Sequence, residues 1–179
     1  KDIYIPRIQW TNTEDALAIS RLNRLQNEFE IILANPKTGI STPLYKEQNK
    51  YYVDITDDLR FLSGKKASNE GFILTSEIEG FKQLYYYSMD GELIQNLTNG
   101  NCDIDQVIGY DAKRKMVYFS AAKVSAVNRE VYAVDLKGKL TDIETKEGWN
   151  QVNFSSNYNY YISNWSTANS APVYSLKNS

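Results

Sequence analysis

The chain has 179 residues with a formal net charge of −2 and no histidine, enough length for one domain with a real core. Lysines and acids are scattered along it instead of forming a basic stripe, so no nucleic-acid footprint is present and no nucleic-acid partner is expected. Fourteen tyrosines and three tryptophans against four prolines and nine glycines favour pleated, half-buried surfaces.

In chain order, apolar and polar positions alternate in short runs closed by turn residues, the signature of strands. The chain opens Lys1-Asp2-Ile3 with no initiator methionine, no signal-like segment and no apolar run able to span a membrane, so both ends read as cuts inside a longer protein. The first unit runs Tyr4–Trp10, Leu17–Ser20, Phe29–Ala34, a turn at Thr38-Gly39, then Thr42–Tyr45. Thr13–Ile19 and Leu22–Asn27 permit helix locally but lack sustained i, i+3, i+4 apolar spacing, so they read as strand and loop. The second unit gives Phe61-Leu62, Phe72–Thr75, Gln83–Tyr87, the Asp90-Gly91 turn and Ile94–Thr98. The third gives Val107–Tyr110, Met116–Phe119, Val131–Val134, Lys137-Gly138 and Leu140-Thr141. A fourth begins at Gln151–Ser155, continues through Tyr160–Ser163 and Val173–Leu176, and lacks its last strand.

Gly39, Gly91 and Gly138 lie 52 and 47 residues apart, each where a tight reversal demands positive φ. A four-strand pattern recurring at that period is expected of propeller blades, whose two sheet faces must both be covered. The fold class is therefore all-β: a partial β-propeller of between three and four four-stranded antiparallel blades, with repeats at 1–49, 50–100, 101–148 and an incomplete 149–179, all within one domain.

Without histidine, no Ser-His-Asp or Cys-His arrangement exists in these residues; no G-x-S-x-G elbow or Gly-rich phosphate loop occurs, and the usual zinc ligand sets are missing. No catalytic residue, metal ligand or cofactor is assigned. The single cysteine, Cys102, cannot form an internal disulfide and reads as a small half-buried filler. Glu77 with Glu79, and Asp103 with Asp105, have the two-residue spacing that would share a strand face, but read as solvated groups in loops between blades. Tyr85-Tyr86-Tyr87 falls on a third strand and reads as inter-blade packing before a stacking platform. Asn96-Leu97-Thr98, Asn153-Phe154-Ser155 and Asn164-Trp165-Ser166 match the N-glycosylation pattern, which is frequent by chance in Asn- and Ser-rich sequence.

Tyr4-Ile5-Pro6-Arg7-Ile8-Gln9-Trp10-Thr11 followed by Arg21–Asn27 resembles the propeller of dipeptidyl peptidase IV-type members of the prolyl oligopeptidase family. The resemblance continues through Ser76–Phe81, Leu84–Tyr87, Asn96–Gly100, Val117–Phe119 and Asn128–Tyr132, covering essentially the whole chain. It implies a segment from the later blades of an eight-bladed propeller that caps an α/β-hydrolase domain of the same chain. That pair removes dipeptides from peptide N-termini, usually after proline or alanine. The family's paired glutamates fall in an earlier part of the propeller, so Glu77 and Glu79 do not inherit their role. An aromatic-arginine loop of the family falls near Tyr52-Val53-Asp54-Ile55-Thr56, where this sequence departs from the pattern; Asp54 is the residue carried forward as a candidate substrate contact. The resemblance also implies a periplasmic or extracellular location, which the sequence itself does not address. Open sheet edges make a homodimer possible. The alternative is a stand-alone propeller module for protein or carbohydrate binding.

Overall fold

The computed structural model describes residues 2–63 and 69–179. Its described residues form antiparallel strands joined by turns, with no helix. β1 (Ile3–Trp10), β2 (Leu17–Asn23), β3 (Glu28–Ala34) and β4 (Ser41–Gln48) form the first sheet in chain order. β5 (Arg60–Ser63), β6 (Asn69–Ser76), β7 (Gln83–Tyr87) and β8 (Leu93–Asn96) form the second. β9 (Ile104–Asp111), β10 (Met116–Ala121), β11 (Glu130–Asp135) and β12 (Leu140–Glu144) form the third. β13 (Trp149–Phe154), β14 (Tyr160–Thr167) and β15 (Ser170–Asn178) form a sheet of three strands. Every strand pairs with its sequence neighbour, so this is the all-β partial propeller the repeat implies.

Reversals are fixed by local polar chemistry. Asn35 Oδ1 accepts the N–H groups of Lys37 and Thr38, and Asp135 Oδ1 those of Lys137 and Lys139, so each side chain stands in for a turn carbonyl. Gly91 adopts φ 81°, and a Cβ there would run into the main-chain carbonyl of Leu44, so backbone conformation and close approach both require glycine. The segments that permit helix do not form one: residues 13–15 lie in a bend and turn, and β2 ends where Asn23 Oδ1 accepts the N–H groups of Asn27 and Glu28. β8 differs from the run read at Ile94–Thr98: it ends at Asn96, whose Oδ1 accepts the N–H groups of Thr98 and Asn99. Thr98 then receives the N–H of Leu84 and donates its hydroxyl to Gln83.

The chain divides into two compact units, residues 1–80 with 85–94, and 81–84 with 95–179. In the first, Ala18, Ile31, Leu44 and Tyr45 meet Phe61, Phe72, Leu74, Tyr85 and Tyr87 in one buried cluster. Strand alternation selects these residues, since Tyr85 and Tyr87 share one face of β7 while Tyr86 lies on the other and donates to the carbonyl of Glu70. Tyr87 stacks on Phe72 with ring centroids 5.3 Å apart and receives Tyr45 edge-on at 5.2 Å. The tyrosine run is thus packing between two sheets.

In the second unit, Tyr118 of β10 lies 4.2 Å from Phe154 of β13 and stacks on Tyr158 at 5.5 Å. Gly109 permits this, because a Cβ at that position would meet the Tyr158 hydroxyl. Buried Glu144 at the end of β12 accepts the Tyr161 hydroxyl at 2.9 Å and Lys177 Nζ at 2.6 Å, satisfying a carboxylate that would otherwise be costly to enclose. Burial, together with that carboxylate, pushes Tyr161 up to about 12. Cys102 is a half-buried free thiol, and burial pushes its pKa up.

Two expectations follow. Phe72→Ala removes a ring with no solvent exposure from the first cluster and should cost about 3–5 kcal/mol, read as a lower urea midpoint. Asp111 is 3 % exposed; burial raises its pKa, but the Arg114 side chain and the N–H groups of Arg114 and Lys113 outweigh that and hold it below the usual value. Its folded pKa is depressed, so its contribution is complete above the unfolded value of about 3.9 and is lost as pH falls through the folded value. Asp111→Ala should therefore be clearly less stable than the parent at pH 7, with the gap closing below about pH 4 in parallel urea titrations.

Candidate functional site

Each unit carries a cleft lined by side chains of potential function. In the first unit, Val53 is buried and its N–H donates to the carbonyl of Gln26, which pins the loop after β4. Asp54 is exposed and lines a cleft of about 80 Å³ with Arg7, Gln9, Glu47, Thr56 and Asp57. Arg7 donates from Nε to Asp57, and that hydrogen bond holds the Asp57 carboxyl below the usual carboxylate range. Glu47 accepts the Tyr45 hydroxyl at 2.7 Å, leaving its second oxygen available to a donor. Three carboxylates and one engaged guanidinium give this cleft a preference for positively charged groups.

The second unit holds a larger cleft, about 480 Å³, beside β9 and β13. Arg129, one residue before β11, lies over the Trp149 ring at 4.8 Å and places Nε 3.6 Å from Asp105 Oδ2. Ser120 Oγ donates to the same carboxylate oxygen at 3.2 Å. Arg129 Nη1 donates to the carbonyls of Ala126 and Asn128, which fixes the guanidinium. Asn150 is 1 % exposed and donates from Nδ2 to the carbonyls of Arg129 and Lys146, at 2.8 and 2.6 Å. Asn150 Oδ1 and Asn164 Oδ1, both buried, have no hydrogen-bond partner.

The acidic pairs singled out from sequence do not converge into acid/base sites. Glu77 and Glu79 lie exposed after β6, and Glu79 accepts the Tyr85 hydroxyl at 3.2 Å. Asp103 is exposed and accepts the N–H of Lys82, but Asp105 is a strand residue of β9, not a loop residue as its spacing implied. The ladder enforces that placement, because Gln106 and Val107 pair with Ser120 and Phe119. Among the described residues, no group of three or more His, Cys, Asp or Glu side chains is placed to hold a metal ion. Arg129 and Asn150 carry no local spacing signal, since pairing across strands brings them to Asp105 and Trp149; the Asn128-Arg129-Glu130 segment drew notice only through resemblance.

Consecutive antiparallel meanders with aromatic third strands and no catalytic set define a non-catalytic propeller segment. The model for the dipeptidyl peptidase IV (DPP IV) N-terminal region matches residues 1–172. Dipeptidyl peptidase 4 of Arthroderma otae is 27 % identical over 167 residues, covering 90 % of this chain and 21 % of the relative. Dipeptidyl peptidase 4 of Trichophyton rubrum is 24 % identical over 185 residues, covering 99 % and 24 %. The crystal structure of Porphyromonas gingivalis dipeptidyl peptidase 4 superposes with a TM-score of 0.90 at 38 % identity, over 99 % of this chain and 25 % of that one. The chain belongs to the dipeptidyl peptidase IV N-terminal region family. It spans about a fifth to a quarter of the length of these relatives. No helix among the described residues is long and apolar enough to cross a membrane.

The Arg7–Asp57 pair gives a direct check. In Arg7→Ala the Asp57 carboxyl should titrate at higher pH than in the parent, as followed by carboxyl NMR, because the hydrogen bond that favours its ionised form is gone.

Proposed function

We propose that this chain is a non-catalytic propeller segment of a serine-type dipeptidyl peptidase. In this reading residues 1–179 belong to a single propeller domain that shapes peptide access to an α/β-hydrolase domain of the same protein. That domain supplies the serine nucleophile, histidine base and aspartate, and the protein releases dipeptides after proline or alanine. The observation that carries the reading is the match over residues 1–172 to the dipeptidyl peptidase IV N-terminal region in a chain that has no histidine. The carboxylate-lined cleft supports a role for Asp54 in contacting the positively charged end of a peptide, since Glu47 and Asp57 reinforce its charge. The reading also implies a periplasmic or extracellular location. Exposed apolar side chains on β1, among them Ile8 at 59 % and Trp10 at 60 %, favour association with another copy when the segment stands alone.

The test compares the full-length natural protein with the 179-residue chain on Gly-Pro-p-nitroanilide. The full-length protein should release nitroaniline and the segment should release none. A full-length protein that folds, carries a hydrolase domain and is inert on this and on Ala-Pro-p-nitroanilide overturns the reading.

A further inference from the structure

The cleft of the second unit has a composition that selects its ligand. Asp105 and Arg129 are the charged residues that line it, and they face each other at 3.6 Å, so the site offers no net charge to a ligand. Both hydrogens of Asn150 Nδ2 are taken by main-chain carbonyls. The amide cannot turn over without breaking both bonds, and Oδ1 therefore remains an acceptor. Asn164 contributes a second acceptor without a partner. A buried acceptor left unpaired costs about 1–3 kcal/mol, so a ligand that brings N–H donors here recovers what the fold forgoes. Ile108, Val131, Val152 and Ile162 line the same cleft and give it an aliphatic wall. Side-chain amides beside aliphatic residues fit a peptide better than a sugar, whose ring carries polar groups on nearly every carbon and leaves little apolar surface to cover.

We propose that this cleft binds an uncharged internal stretch of an extended peptide. Main-chain N–H groups donate to Oδ1 of Asn150 and Asn164, and an aliphatic side chain rests against Val152 and Ile162. The Arg129 and Trp149 stack forms a rigid end to the cleft. A volume of about 480 Å³ lies within the ordinary range for small-ligand sites, about 300–1,000 Å³. Binding there requires no hydrolase domain, so it stands or falls independently of the peptidase reading.

The probe is N-acetyl-Ala-Ile-Ala N-methylamide, titrated calorimetrically and by tryptophan fluorescence into the chain and into the full-length natural protein. Saturable binding to both is expected, weakened about tenfold in Asn164→Leu, the loss of roughly one hydrogen bond to a buried partner, and unchanged in Lys37→Ser. If Asn164→Leu does not fold, a depsipeptide analogue with ester oxygens in place of the amide N–H groups makes the same cut from the ligand side and should also bind about tenfold more weakly. Four results overturn the proposal: no binding, binding of maltose instead of the peptide, equal affinity for peptide and ester, or binding to the segment but not to the full-length protein. The last would assign the cleft to contact with another part of the natural chain.

Discussion

Tyr87, held between the flat of Phe72 and the edge of Tyr45, shows the constraint on which the first unit depends: a four-stranded sheet has two apolar faces, and each must find a cover. Antiparallel meanders satisfy their own main-chain groups, so hydrogen bonding alone does not specify how one sheet meets the next. Ring geometry does. Tyr118 against Phe154 and Tyr158 performs the same task in the second unit, and the bare Gly109 backbone leaves room for the Tyr158 hydroxyl. Burial of carboxylates is confined to places where a donor is built in, as at Glu144 with Tyr161 and Lys177.

Strand order and the reversals were legible in the sequence, because a glycine at positive φ and an alternating apolar pattern are local signals. The Asp90-Gly91 turn is an example: its conformation could be read from two residues, although the approach to the Leu44 carbonyl that makes glycine compulsory could not. The end of β8 was misjudged by two residues, since Leu97 and Thr98 have strand propensity and only the Asx turn at Asn96 overrules it. Asp105 was assigned to a loop because its neighbours are polar, whereas pairing of Gln106 with Ser120 draws it into β9.

The clefts were less legible, for a geometric reason. Asp54 lies near its cleft partners Glu47, Thr56 and Asp57 in sequence and could be marked in advance, but Arg7 reaches it only through the packing of the first unit. The second cleft draws Asp105, Arg129, Asn150 and Asn164 from separate strands and connections, and no spacing rule joins them. Absence of histidine was the most informative single feature of composition, because it removes triad chemistry from these residues whatever the fold.

The neighbour-to-neighbour strand order also bears on how the chain acquires its structure. Each hairpin closes a short loop, so little chain entropy is surrendered before a pairing is rewarded, unlike a Greek-key sandwich whose partners are distant in sequence. A sheet of this kind can pair as its strands leave the ribosome, with each completed meander offering an apolar face to the next. Such growth suits a gene built by duplication, since adding one more repeat lengthens the chain without asking any earlier strand to change its partner.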